Sequence, residues 1–198
     1  MSDKAMTVWT NFGTGAFVVA MVWLASEVIL GLLARSKGGA VKKADKYSMG
    51  LIWLTIGPCI FAGKALGTGR AGFIATGSLA ISFAGLVLMI VGQGIRWTAI
   101  AALGRFFTAD VSIQKSHVLV EKSLYKFIRH PSYTGSLLTF LGFGLTFSNW
   151  LSALVLFVPM TAVFLYRIHV EEQALAEFFG DAYLQYRQRT KRLLPGVY

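Results

Sequence analysis

The chain has 198 residues, room for one domain rather than two. It is 55% hydrophobic and 14% charged, against about 25% charged residues in soluble domains, and its mean hydropathy is +0.60, so lipid is the expected solvent. A net charge of +10 could suit nucleic acid, but the basic residues sit in short segments between apolar runs, as in loops beside anionic headgroups, and no nucleic-acid partner is expected.

A bilayer crossing needs about 20 mostly apolar residues. The first run, 12–33, is broken only by Glu27. It is too long for a signal-peptide core and no small-residue cleavage pattern follows, so it is expected to stay as a span. The second, 49–66, holds Pro58, Cys59 and Lys64. A lone cysteine builds neither a disulfide framework nor a zinc site, so Cys59 reads as a small buried hydrophobe, and no metal is expected. Gly63 and Gly67 have the spacing of close helix packing, but one such pair reads as incidental. The third run is 73–95. After a polar stretch come 133–147 and 150–166, separated only by Ser148-Asn149, which predicts a tight helical hairpin. The expected fold is therefore all-α: an integral membrane domain of about five transmembrane helices.

Lysine and arginine bias sets the orientation. With the N-terminus outside, Arg35 to Lys46, Arg96 to Arg129 and Arg167 to Arg192 face the cytoplasm and hold sixteen of the 19 basic residues. Only Lys4, Lys64 and Arg70 fall outside. Residues 96–132 and 167–198 then share the cytoplasmic face with the C-terminus. They flank the last hairpin, so a site built from both is expected there. In the tail, Leu175, Phe178, Phe179, Tyr183 and Tyr186 recur at helical spacing from Glu172 to Leu194, which predicts a C-terminal amphipathic helix at the interface.

Two constellations could carry chemistry. Pro131 suits a helix start, which would set Arg129 and His130 beside a helix N-terminus that favours anions, or leave them snorkelling to headgroups. Arg167 and Glu171 are one turn apart and can pair, as a site or as an interfacial ion pair, and His169 lies on another face as a bystander. Glu27 inside a span is either functional or structurally partnered.

In order, His117-x-Leu119-Val120, Tyr125, Arg129-His130-Pro131-x-Tyr133-x-Gly135, Arg167-x-x-x-Glu171-Glu172, Phe179-Gly180-x-x-Tyr183-x-x-Tyr186 and Arg192-Leu-Leu-Pro195 resemble the isoprenylcysteine carboxyl methyltransferase family, over 104–198. The resemblance implies S-adenosylmethionine as methyl donor, leaving as S-adenosylhomocysteine, in a pocket lined by His117, Leu119, Val120, Tyr125, Arg129, His130 and Pro131. It implies that Arg167 and Glu171 hold the acceptor and the reacting centre. A sulfonium donor is already activated, so transfer to a carboxylate asks for alignment rather than a metal or a strong base. The expected acceptor is lipidic or prenyl-like and enters from the bilayer. An amine acceptor, as in phospholipid N-methylation, would need Glu171 as a base. A nicotinamide-dependent membrane reductase on a related scaffold and a non-enzymatic membrane scaffold are the readings from other classes.

Overall fold

The computed structural model describes residues 3–33, 40–43, 47–108, 112–114 and 118–198, with side chains at 15–30, 47–108 and 118–198. Five long helices follow in order: α1 (Asp3–Leu33), α2 (Ser48–Gly67), α3 (Ser78–Leu103), α4 (Pro131–Thr146) and α5 (Trp150–Phe179), with a short α6 (Asp181–Arg189) behind them. Among the described residues, three helices are long and apolar enough to cross a bilayer: those at Ser48–Gly67, Ser78–Phe106 and Trp150–Phe179, with a shorter apolar stretch at Gly15–Leu30. This is the construction of an integral membrane protein. The expected count of five spans is carried only in part, because α4 has 16 residues, about 24 Å of helix.

The shortness of α4 goes with its place inside the bundle. Eleven of its residues are buried, and Ser136 and Thr139 donate their hydroxyls to the carbonyls of Ser132 and Gly135, so no polar atom is left facing hydrocarbon. It lies backbone to backbone along α3. A Cβ on Gly92 would sit 2.5 Å from the Gly135 carbonyl, and one on Gly85 2.6 Å from that of Gly142, so small residues let the two helices touch. Gly63 and Gly67, read as incidental, are packed as well: a Cβ on Gly63 would meet the Leu156 side chain at 2.8 Å, and Gly67 faces the Phe147 ring.

The Ser148-Asn149 hairpin forms as expected, with Ser148 at φ 49°. Asn149 accepts from the Ser152 amide at 3.1 Å, capping α5, and its amide group donates to the carbonyls of Leu66 and Ala71 at 3.0 and 2.7 Å. One turn therefore locks the α2–α3 loop to the α4–α5 loop. That loop also explains why α3 starts at Ser78 and not at 73: Phe73 is held in an isolated bridge with Asn149. At the opposite ends of the helices, Ala40–Lys43 and Ser112–Gln114 pair as a two-stranded antiparallel ribbon, a small addition to an otherwise helical fold.

One C-terminal expectation needs correction. α5 continues beyond the 150–166 apolar run to Phe179, which puts Arg167 and Glu171 on one helix, because residues 167–179 keep good helix formers (Glu, Gln, Ala, Leu). The single amphipathic helix over 172–194 is broken at Gly180, which takes φ 55°, a value that suits glycine. Past α6, Arg129 and His130 donate backbone N–H groups to the Lys191 and Arg192 carbonyls at 2.8 and 3.0 Å, so the tail closes against the entrance to α4.

Candidate active site

Pro131 is the first residue of α4 and is buried. Its ring fixes the helix start and sets the residues on either side: His130 just before the helix and Ser132 and Tyr133 in its first turn. These face the C-terminal half of α5, which carries Arg167, Glu171 and Glu172.

Arg167 is 4% exposed. Its Nε donates to the Tyr133 hydroxyl at 2.8 Å and its Nη1 to Ser48 Oγ at 2.7 Å. The Tyr133 hydroxyl in turn donates to Glu171 at 2.9 Å. The two residues predicted to pair by spacing thus meet on a third, and Tyr133 joins them. Glu171 keeps 31% of its side chain exposed, so one carboxylate of the site faces open space while the arginine is sunk.

Behind this trio lies a second carboxylate. Glu172, buried, accepts from Arg129 Nε at 2.8 Å and Arg192 Nη2 at 3.0 Å, with His130 Nε2 at 3.4 Å. Arg129 also donates to the Thr190 carbonyl and, at 3.3 Å, to that of Arg187. Its guanidinium is therefore already committed to the C-terminal segment. His130 stands between the carboxylates, its Nδ1 4.0 Å from Glu171.

These groups border one open-mouthed cavity. One part of its wall is apolar and comes from the membrane helices: Trp23, Leu30, Ile52, Trp53, Ile56, Phe140 and Phe164. The other comes from the polar face: Val118, Leu119, Val120, Tyr125, His130, Glu171, Leu175, Phe179, Tyr183 and Tyr186. Two arginines tie the parts together, Arg167 through Ser48 and Tyr133, and Arg96 through Glu27 and Ser132. Arg96 holds Glu27 by two bonds of 2.5 Å and Ser132 Oγ at 2.8 Å, which gives the intramembrane carboxylate its partner.

The polar part is ringed by phenols. Tyr186 donates to the Tyr125 carbonyl at 2.7 Å. Burial, and then the negative charge of Glu171, push the Tyr125 phenol above the ordinary tyrosine value. Tyr183 has a buried hydroxyl with no hydrogen-bond partner among the described residues.

Of the site residues read from sequence, Leu119, Val120, Tyr125, Arg129, His130, Arg167 and Glu171 border this cavity. Pro131 is a buried helix start outside its wall, and His117 lies outside the described residues. His169 turns to Gln173 at 3.0 Å, away from the Arg167–Tyr133–Glu171 trio. Tyr133, Ser48, Arg96 and Glu172 carry no expected role from the sequence. Tyr133 and Glu172 were visible as members of the motif, whereas nothing marked Ser48.

A family model described as isoprenylcysteine carboxyl methyltransferase matches residues 85–177, which take in α3 from Gly85, all of α4 and most of α5. Over 119 residues the chain is 39% identical to protein-S-isoprenylcysteine O-methyltransferase B of Arabidopsis thaliana, covering 59% of this chain and 60% of that one. It is 35% identical over 112 residues to protein-S-isoprenylcysteine O-methyltransferase of Schizosaccharomyces pombe, covering 56% and 48%. The solved structure of the eukaryotic intramembrane Ras methyltransferase, an isoprenylcysteine carboxyl methyltransferase, shares the fold with a TM-score of 0.67 at 24% identity, over 96% of this chain and 68% of that one. The chain thus spans about three-fifths of the length of the plant relative and about half that of the yeast one.

Proposed function

We propose that this chain, whose residues 85–177 match the isoprenylcysteine carboxyl methyltransferase family model, moves a methyl group from S-adenosylmethionine to the carboxylate of a lipidic, prenyl-like acceptor. The observation that carries the reading is the cavity itself. A single space has an apolar wall within the membrane helices, a polar and aromatic wall outside them, and the Arg167–Tyr133–Glu171 trio among its lining.

The residues present fit the donor. Leu119, Val120, Leu175 and Phe179 offer apolar surface to an adenosine, Glu171 offers negative charge to a sulfonium, and the Tyr183 hydroxyl is a buried polar group awaiting a partner. When bound, S-adenosylmethionine supplies a methyl group on a positive sulfur that leaves as the neutral thioether of S-adenosylhomocysteine. Arg167 then fixes the acceptor carboxylate by directed hydrogen bonds, and Tyr133 holds Arg167 and Glu171 at a set separation. One carboxylate oxygen forms the new C–O bond as the C–S bond breaks, and no proton has to move. Alignment of this kind can lower a barrier by about 7–11 kcal/mol. In this reading His130 orients Glu171 and the polar end of the donor, while Arg129 holds the tail against α4 and shapes the wall. The N-terminus lies outside and the site opens to the cytoplasm, where the soluble donor is found; the acceptor slides in from the bilayer.

Calorimetry of the purified chain with S-adenosylhomocysteine and with NADPH tests the assignment: the first binds and the second does not. NADPH binding alone would make the protein a reductase, and binding of neither would leave it a scaffold. Arg167→Ala abolishes transfer of a labelled methyl group to a prenylcysteine while donor affinity stays within about tenfold, or 1.4 kcal/mol.

A further inference from the structure

A second opening lies apart from the polar face, between α1 and α3. Val18, Val22 and Trp23 form one wall and Met89, Ile90, Gln93 and Trp97 the other, with Thr139 of α4 at the floor. The outer rims are open, Val22 and Ile90 being 65% and 58% exposed, and both helices belong to apolar stretches, so the groove faces acyl chains and not water.

Two residues that line this groove carry a buried polar atom with no hydrogen-bond partner among the described residues: Trp23, through its indole N–H, and Gln93, through its Oε1. The rest of the local polarity is spoken for. Gln93 Nε2 donates to Ser26 Oγ at 3.5 Å, and Ser26 Oγ donates to the Trp23 carbonyl at 2.6 Å. Ser26 and Gln93 stand beside and one turn from the Glu27–Arg96 ion pair, which sets this end of the groove near the polar boundary of the bilayer. In hydrocarbon an unpaired donor and an unpaired acceptor are both costly, and no water is at hand to satisfy them.

We propose that the groove binds a membrane alcohol, an apolar body ending in one hydroxyl. A hydroxyl is the smallest group that supplies both missing partners, since it donates one proton and accepts through its lone pairs. Its O–H reaches Gln93 Oε1, its oxygen accepts from Trp23 Nε1, and its chain lies along Val18, Val22 and Ile90. An ester or ether lipid answers Trp23 but leaves Gln93 unpaired. The proposal stands independently of methyl transfer. Trp23 walls both openings, so Gln93, which borders only the groove, is the residue that separates them.

The test uses the full chain in micelles, labelled by a diazirine-bearing hexadecanol and mapped by peptide mass spectrometry. Labelling is expected within 18–26 and 89–97. Unlabelled hexadecanol should displace it at a concentration at least about fivefold below that needed for 1-methoxyhexadecane, the effect of one hydrogen bond. Gln93→Met keeps the length of the side chain and removes the amide. It should erase that preference without lowering the thermal midpoint. Equal displacement by alcohol and ether, a preference that survives in Gln93→Met, or labelling elsewhere would each overturn the proposal.

Discussion

Tyr133 accepts a hydrogen bond from Arg167 at 2.8 Å through the same hydroxyl that it donates to Glu171 at 2.9 Å. The phenol is therefore the spacer between the cation and the carboxylate of the proposed reacting centre. Its hydrogen bonds are to charged groups, each worth about 1.5–3 kcal/mol. Tyr133→Phe keeps the ring, which packs near Phe164 at 5.2 Å between centroids, and removes the spacer. Steady-state methyl transfer should fall roughly 10- to 100-fold in kcat, with S-adenosylhomocysteine affinity within about threefold. An unchanged kcat would mean that Arg167 and Glu171 hold position without it.

Glu27 and Arg96 are 69 residues apart in sequence and share two hydrogen bonds of 2.5 Å. Removing one partner of a poorly solvated pair leaves a bare charge, at a cost of about 3–5 kcal/mol. Removing both charges together leaves none. Glu27→Gln and Arg96→Gln should each lower stability strongly in denaturant titrations of the micelle-bound chain, and the double variant should lose clearly less than their sum. Additive losses would show the two side chains to be energetically independent.

These two relationships also mark the limit of what the sequence reveals. Pro131 as a helix start, the Ser148-Asn149 hairpin and the shared face of Arg167 and Glu171 were legible because each depends on neighbours within about one turn. The break of the tail at Gly180 was not, since the apolar and aromatic spacing of Leu175 to Tyr186 runs straight through it. Ser48 and Arg167 lie 119 residues apart, and no local pattern announces that a serine at the start of α2 will meet that guanidinium. Glu172 looked like the duplicate of Glu171, yet helical rotation turns it inward to Arg129, His130 and Arg192 and leaves its neighbour half-open.

Close contact of α3 with α4 fixes where Arg96 meets Ser132, and it rests on glycine. A methyl group added at Gly92 would sit 2.5 Å from the Gly135 carbonyl, while one at Gly57 in α2 would meet nothing within 4 Å. Gly92→Ala should force the helices apart and cost about 1–3 kcal/mol or more. Gly57→Ala should be neutral or gain up to about 1 kcal/mol from helix propensity. Thermal unfolding of the two variants side by side checks this, and equal midpoints would remove the close-packing argument.

Tyr183 is 1% exposed, walls the polar part of the cavity and has no partner for its hydroxyl among the described residues. Burial, and then the negative charge of Glu172, hold its phenol above the ordinary tyrosine value, so it stays protonated at every working pH and keeps a proton to donate. That unmade bond costs about 1–3 kcal/mol, and Tyr183→Phe relieves it without changing the ring. The variant should therefore melt roughly 2–4 °C higher for each kcal/mol relieved. If the hydroxyl serves the donor, the same variant should bind S-adenosylhomocysteine about five- to tenfold more weakly, a combination that packing alone does not produce. A rise in melting temperature with unchanged affinity would make Tyr183 a wall residue and nothing more.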